Sequence, residues 1–263
     1  MLNKLKSVYR IFFPKKTNTS KYFETSLSWM PGYKTHTVEN LFYTIEFENY
    51  KVVMRGLGHS DMIVYNQIFI DEEYKIIKEI LLNVKKDKYQ IIDAGANVGY
   101  TSLYYALDLN ADIVAVEPSS NNVIVLNKNI ELNQLGYKIE VRKCALSGNS
   151  HNKYKIDNHF RDGLDWSTTT ILDTNGEVES ISIGDLYIEK KWDFIDLLKI
   201  DIEGAEAEIF RSDLNFLTKT RVIAIEIHEE FISNIEIKTI LNNQGFIVFS
   251  VGELTVGVNK ILI

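Results

Sequence analysis

From Gln90 onward, short apolar runs alternate with amphipathic stretches, and no other feature constrains the fold as strongly. The runs at 90–94, 112–117, 138–143, 194–200 and 221–227 are interleaved with helical patterns at 100–108, 119–133, 204–212 and 232–243. Strand, helix, strand in this rhythm means βαβ units, and βαβ units build a mostly parallel sheet. The stretches IID, DIVAV, IDLLKI and VIAIEI are almost unbroken in apolar residues. A strand covered by helices on both faces reads this way, because neither row of side chains meets water. Residues 245–263 read as a hairpin around Gly252-Glu253, antiparallel at the sheet edge. Residues 146–176 break the rhythm with a polar insertion carrying His151, His159, Arg161, Asp162, Asp165, Trp166 and Thr168–Thr170. An insertion of that length in a compact domain is usually functional or mobile.

Ahead of this region, residues 38–54 alternate in aromatic and β-branched types, with polar Glu48-Asn49 between two runs, which predicts a hairpin. Residues 71–86 show helical periodicity, acids first and lysines last, as the helix dipole favours. The first twenty residues carry Lys4, Lys6, Arg10, Lys15 and Lys16 and no acid. Leu2, Leu5, Val8 and Phe12 form one stripe of a short helix that Pro14 would stop. Such a helix packs on its own domain or lies peripherally on an anionic membrane surface. Arg10 and the lack of a small-residue cleavage site argue against a secretory signal. Three units follow: a basic segment over 1–35, a hairpin and helix packed on the core over 36–86, and a cofactor-binding domain over 87–263.

Composition narrows the function classes. A single cysteine, Cys144, excludes an internal disulfide and a multi-cysteine zinc site. A net charge of −7 argues against a bulk electrostatic grip on nucleic acid, so no nucleic-acid partner is expected. No apolar run is long enough to span a membrane. These features place the chain in the cytoplasm, at most peripheral at the inner membrane surface.

Ligands of an open parallel sheet bind beyond the carboxyl ends of its strands, where strand order reverses. The first of these strands ends in Asp93-Ala94-Gly95-Ala96-Asn97-Val98-Gly99, and a helix follows. The second ends in Glu117-Pro118, the third in Cys144-Ala145, the fourth in Asp201-Ile202-Glu203-Gly204-Ala205-Glu206, the fifth in Glu226-Ile227-His228. An acid about 20 residues beyond a glycine turn accepts hydrogen bonds from ribose hydroxyls, which fits both a nicotinamide dinucleotide and S-adenosylmethionine. The turn separates the two. A pyrophosphate needs GxGxxG and bare backbone N–H groups. Here the glycines are Gly95 and Gly99, and Asp93 stands just ahead. A carboxylate there repels a pyrophosphate and suits a ligand with an ammonium and a sulfonium. S-adenosylmethionine is therefore the expected cofactor.

The stretches IIDAGANVGYTSL, AVEPSSNNVIVLNKNIELN, CALSG, LLKIDIEGAEAEIF and AIEIHEE, in this order and spacing, resemble the FkbM family of S-adenosylmethionine-dependent methyltransferases. SDMIVYNQIF with EEY just after it is similar to the family's lead-in, so the resemblance covers roughly residues 60–250. It implies the class I methyltransferase (Rossmann-like) fold, a mostly parallel seven-stranded sheet with an antiparallel last strand and helices on both faces. It also implies methylation of a hydroxyl, often on a sugar or polyketide-type acceptor. The first 35 residues and the 150–176 loop carry no resemblance, and acceptor choice is expected to lie there.

Each role has a plainer competitor. Asp93, Gly95, Ala96, Asn97 and Gly99 should line the methionine end of the cofactor, against a bare strand–helix turn. Thr101, with Tyr100, opens the helix; capping and packing explain both equally well. Glu117 should hold the ribose with Pro118 beside it, against a solvated strand-end acid. Cys144 and Ala145 would flank the adenine, though a small buried residue explains Cys144 as well. Methyl transfer needs alignment and removal of the acceptor's proton. Asp201, Glu203 and His228 are the catalytic candidates, with Asp201 also close to the cofactor. Glu203 and Glu206 are equally explained by an opening helix turn, and Lys199 by a local ion pair. His59 joins the loop residues as a weak acceptor contact. A metal-free reaction is expected; Asp201, Glu226 and His228 are the set that would hold a divalent ion if one is used. The rivals are a nicotinamide-dependent oxidoreductase and a non-catalytic membrane-surface protein with a degenerate cofactor fold.

Overall fold

A computed structural model describes residues 20–157 and 169–263, with side chains from residue 23 onward. The basic stripe before Ser20, and His159, Arg161, Asp162, Asp165, Trp166 and Thr168, lie outside the described residues. The chain opens with helix α1 (Ser20–Leu27) and strands β1 (Thr35–Glu39), β2 (Phe42–Glu46) and β3 (Lys51–Arg55). Helices α2 (Asp61–Tyr65) and α3 (Lys75–Val84) follow, joined through a wider π turn over Asn66–Ile70. Then come β4 (Tyr89–Ala94), α4 (Tyr100–Asp108), β5 (Ala111–Val116), α5 (Ser120–Leu132) and β6 (Ile139–Arg142). After these lie β7 (Ala145–Leu146), β8 (Lys153–Asp157), β9 (Thr169–Leu172), β10 (Val178–Ile181) and α6 (Ile183–Glu189). The chain ends with β11 (Ile195–Ile200), α7 (Glu206–Phe210), β12 (Thr220–Glu226), α8 (Asn234–Asn243), β13 (Phe246–Val251) and β14 (Leu254–Asn259).

The main sheet has seven strands in the order β13-β14-β12-β11-β4-β5-β6. Strands β12, β11, β4, β5 and β6 pair in parallel, and β14 is antiparallel to both neighbours. This is the mostly parallel seven-stranded sheet with an antiparallel final strand that the resemblance implies, and the hairpin turn falls at Gly252-Glu253 as expected. Starting from β4, the chain steps outward through β5 and β6, then returns to β11 on the other side of β4. Strand order therefore reverses between β4 and β11, and the crevice for a ligand opens at their carboxyl ends.

The unbroken apolar runs are covered on both faces. Ile91, Ile113, Leu197 and Val222 enter one core, with Leu103 and Tyr105 of α4 and Leu126 of α5. Their neighbours Ile92, Val114, Leu198 and Ile223 enter the other, with Leu186 of α6 and Leu241 of α8. Side chains of a strand alternate faces, so each run fills two cores at once.

Three expectations need amending. Residues 38–54 hold the expected hairpin, β2 and β3 on either side of Glu48-Asn49, but β1 extends it to a three-stranded meander. Its first turn is Asn40-Leu41, both at positive φ (49° and 71°), with Leu41 84% exposed. Two consecutive left-handed residues make the tight turn that matches strand twist, and a leucine in that role leaves no turn signature. The helix over 71–86 begins only at Lys75, because Glu72 takes a positive φ of 50° and turns the chain. The acids therefore stand ahead of the helix rather than in its first turn. The polar insertion is not simply a loop: β8 and β9 belong to a second sheet of order β7-β10-β8-β9.

The meander is fastened to the main domain by helix α5. Asn129 receives Val53 N–H on Oδ1 at 2.6 Å and donates Nδ2–H to Val98 O at 2.8 Å. Asn133, one turn on, receives Lys51 N–H at 2.9 Å and donates to Lys51 O at 2.7 Å. The two amides stand in for a neighbouring strand along the β3 edge, which would otherwise offer unpaired backbone groups. Arg55 at the end of β3 pairs with buried Asp61 at 2.6 Å, which anchors α2.

Candidate active site

The turn after β4 is built around close backbone approach. Gly95 has φ +73°, and a Cβ there would lie 1.7 Å from Asp201 O, so only glycine brings the turn against the end of β11. Gly95 and Ala96 both donate N–H to Val116 O at 3.0 Å, and Asp201 N–H to Ala94 O at 3.1 Å. Gly99, at φ +85°, caps α4, and a Cβ there would press on Leu126. Thr101 and Tyr100 are buried in the first turn of α4, and the Tyr100 hydroxyl donates to Val53 O at 2.9 Å. Tyr100 therefore faces the meander.

Asp93 is fully buried beneath this turn. Its Oδ2 accepts from the Ser102 hydroxyl at 2.6 Å, and its Oδ1 lies 3.3 Å from Lys199 Nζ. Asp93 and Lys199 are register partners on β4 and β11. Lys199 also donates to Gly95 O at 2.7 Å and lies 3.5 Å from Asp201 Oδ2. Burial works against its charge, but Asp93 and Asp201 outweigh that and raise its pKa. The ammonium thus ties the turn, the strand and the rim together.

Glu117, at the end of β5, is buried next to the turn. Its Oε2 accepts Asn97 N–H at 2.9 Å. Its Oε1 accepts Ser119 N–H at 2.9 Å and Asn122 Nδ2–H at 3.3 Å. Burial raises its pKa, and these donors pull the other way. A carboxylate has about four acceptor positions, so room for a hydroxyl donor remains. Beside it, Asn97 Oδ1 is buried without a hydrogen-bond partner. Pro118 is half-buried between Glu117 and Ser119. Cys144 follows β6 with Ala145 buried behind it, and burial pushes its thiol up to about 11. At neutral pH that thiol is not a nucleophile.

A second group of acids, with His228, lies at the ends of β11 and β12. Glu203 does not open a helix: it sits in a turn with φ +53°, followed by Gly204 at φ +106°, and α7 starts at Glu206. A glycine with that φ, covered by the Phe231 ring, ends the possibility of continuing helix there. Glu206 is wholly buried and accepts Gly204 N–H at 3.3 Å. His228 is 2% exposed, with Nδ1 at 2.7 Å from Glu206 Oε1 and Nε2 at 3.4 Å from Glu203 Oε2 and 3.9 Å from Glu226 Oε1. Burial pulls the ring's pKa down, but the Glu206 hydrogen bond and charge, with Glu203 and Asp201, raise it to about 9. A ring so raised holds its proton more firmly than an ordinary imidazole does.

Two further acids reach this rim that strand-end reasoning does not find. Glu73, delivered by the turn ahead of α3, is pushed up to about 7 by burial and by the charges of Asp201 and Glu253. Glu253 comes from the β13–β14 turn. Glu226 is raised to about 9 by burial and by Asp201. The signal for Glu73 was the EEY after the lead-in. Of the weak acceptor contacts, His59 is exposed in the loop before α2, and His151 sits at the second sheet, where its N–H donates to Ser180 O.

A parallel sheet with a glycine turn under an acidic rim, and a buried strand-end acid beside it, suits a nucleoside that carries positive charge. The description "Methyltransferase FkbM domain" fits residues 93–248, more than half of the chain. The chain belongs to the FkbM methyltransferase family, whose methyl donor is S-adenosylmethionine. The methyltransferase sdnD of Sordaria araneosa is 28% identical over 215 residues, 70% of this chain and 81% of that protein. Among solved structures, Pyrococcus horikoshii TYW2 in complex with MeSAdo shares 11% identity, covering 85% of this chain and 74% of that one, with TM-score 0.47. The METTL16 MTase domain shares 17% identity over 69% of this chain, with TM-score 0.45, and the chain spans 64% of its length. Family membership as a methyltransferase sets aside the nicotinamide rival.

The residues present suit the donor. Gly95 leaves space at the turn that any Cβ would fill, Asn97 offers an orphaned acceptor, and Glu117 retains acceptor capacity. All of these accept or make room, as the ammonium and hydroxyl donors of such a nucleoside require. Among the described residues no helix is long and apolar enough to cross a membrane.

Proposed function

We propose that this chain transfers the methyl group of S-adenosylmethionine to a hydroxyl oxygen of a saccharide or similar small acceptor. Glu117 holds the ribose hydroxyls, and the 95–99 turn with Asn97 holds the methionine end. The observation that carries the acceptor side is the rim at the β11 and β12 ends, where Asp201, Glu226 and Glu73 gather beside the cofactor turn. An alcohol is a weak nucleophile at neutral pH, so its proton must leave as the new bond forms. Asp201 stands nearest the turn, its backbone N–H on Ala94 O, and is the group assigned to take that proton. The acceptor oxygen bonds the methyl carbon, the carbon–sulfur bond breaks, and its electron pair stays on sulfur. The donor's positive charge is lost, and the proton moves to the carboxylate. Hydroxyl groups of a sugar donate hydrogen bonds, and a rim of carboxylates accepts them.

The test is transfer of labelled methyl from S-adenosylmethionine into saccharide pools, followed by mild alkali. A methyl ether survives that treatment and a methyl ester does not. Label found in alkali-labile or amine-linked form would reject the hydroxyl reading. In the same assay, Asp201→Asn should lower turnover about 100-fold or more, the range of a lost general base. Cofactor affinity should change far less. A retained rate would remove Asp201 from the mechanism.

A further inference from the structure

His228 is held in a way that methyl transfer alone does not require. Its Nδ1 faces a fully buried carboxylate, Glu206, at 2.7 Å. Glu206 is itself fixed by Gly204 N–H. A carboxylate on Nδ1 keeps a proton on that nitrogen and turns Nε2 outward as the ligating atom, an arrangement typical of histidines that bind metals. Nε2 is buried and makes no hydrogen bond. It is aimed at carboxylates: Glu203 Oε2 at 3.4 Å and Glu226 Oε1 at 3.9 Å. The first distance is longer than the ~2.7–2.9 Å of a charge-assisted hydrogen bond. A buried ring nitrogen facing two acids favours a positive charge between them. A proton supplies one; a divalent cation supplies a larger one and fits the spacing. Ligand atoms of Asp201, Glu203 and His228 all lie within 4.8 Å of one another. Ligands about 2.1 Å from a common ion sit roughly 3–4.2 Å apart, so a small inward shift closes the set.

We propose that Asp201, Glu203 and His228 hold a divalent cation of the Mg²⁺ or Mn²⁺ kind, with Glu206 as the positioning residue that orients the imidazole. Two carboxylates favour hard ions, and the single imidazole is compatible with Mn²⁺. The set differs from the one the sequence suggests, because Glu203 turns inward from its own loop while Glu226 stands further off. It also reverses the expectation of a metal-free reaction. This inference rests on reading the rim as the acceptor side of the methyl-transfer site. There the ion would bind the acceptor oxygen at an open position and make its proton easier to lose. Asp201 would then act as a ligand rather than as the base assigned above, and Glu73 would take the proton.

The experiment titrates the purified full chain with Mn²⁺ and follows the free ion by its electron paramagnetic resonance. Binding of S-adenosylhomocysteine is measured in parallel by calorimetry as a check on the fold. One ion per chain is expected. Asp201→Asn and His228→Ala should weaken it by about 100-fold or more, and Glu206→Gln by about 10–100-fold, the range for a lost outer partner. Where a buried variant fails to fold, Asp201→Asn decides, because that side chain is 30% exposed. No stoichiometric ion on the wild-type chain, or an affinity unchanged in Asp201→Asn, overturns the site. A chain that binds Mn²⁺ and methylates no hydroxyl keeps the ion site and loses the proposed activity. A chelated enzyme at full rate keeps the activity and removes the ion from it.

Discussion

Glu117 holds the fold together at the residue assigned to the ribose. Its carboxylate accepts Asn97 N–H from the cofactor turn and Ser119 N–H from the start of α5. Glu117→Ala leaves the buried Ser119 N–H and the part-buried Asn97 N–H without this partner, at about 1–3 kcal/mol for a group left unpaired. It also removes the acceptor assigned to the ribose. We expect a loss of about 2–4 kcal/mol in denaturant unfolding and a cofactor affinity at least ~10-fold weaker by calorimetry. Glu117→Gln separates the two roles: the amide oxygen still accepts, so stability should fall less than affinity does. Unchanged affinity in either variant would take the ribose away from Glu117. The spacing of Glu117 from the glycine turn was readable in the sequence, because it follows from one βαβ unit. The pairing of Asp93 with Lys199 was not. It depends on the register between β4 and β11, which nothing local to either strand specifies.

At the scale of elements, the clearest device is the pair of asparagines on α5. Their sequence, NKNIELN, reads as the polar face of an amphipathic helix. In the structure Asn129 is buried and bridges β3 to the backbone of Val98 ahead of α4. Asn129→Ala strands Val53 N–H and removes a bond to Val98 O, so unfolding in urea should lose about 2–4 kcal/mol. Asn133→Ala, whose site is only partly buried, should lose about half as much or less. Equal and small losses would mean that the meander is held by its apolar contacts alone. The same comparison explains what sequence patterning reaches. Long, strongly patterned elements such as β4, β5, β11 and β12 were legible, because burial on both faces dictates their composition. The β1–β2 turn and the start of α3 were not, since each depends on non-glycine residues at positive φ, Leu41 and Glu72, that carry no turn signature. Glu203 was misplaced for the same reason. Helix α8 fell within the stretch expected at 232–243, and Ser233 Oγ caps it by accepting Glu236 N–H at 3.1 Å.

For the whole molecule, the site exists only once the sheet has closed. The turn after β4, the acid after β5, the rim after β11 and β12, Glu73 from the N-terminal part and Glu253 from the last hairpin meet at one edge. Strand-end reasoning found the first four, because the reversal of strand order names the edge in advance. It missed Glu73 and Glu253, which arrive from elements outside the βαβ rhythm. A site assembled from so many parts binds its ligand only in the native state, so the ligand must stabilise the whole fold by linkage. S-adenosylhomocysteine at one hundred times its dissociation constant should add about 2.7 kcal/mol. For a chain of this size each kcal/mol moves the melting temperature by roughly 2–4 °C, which predicts a rise of about 5–11 °C. NADH at the same concentration should produce none, because the 95–99 turn lacks the GxGxxG spacing that seats a pyrophosphate. The rise should shrink in Glu117→Ala, through lost ribose contact, and persist in His228→Ala, whose ring lies among the acids at the β11 and β12 ends. A shift with NADH in place of S-adenosylhomocysteine, or a full shift in Glu117→Ala, would mean that the nucleoside is held by other residues than those assigned to it here.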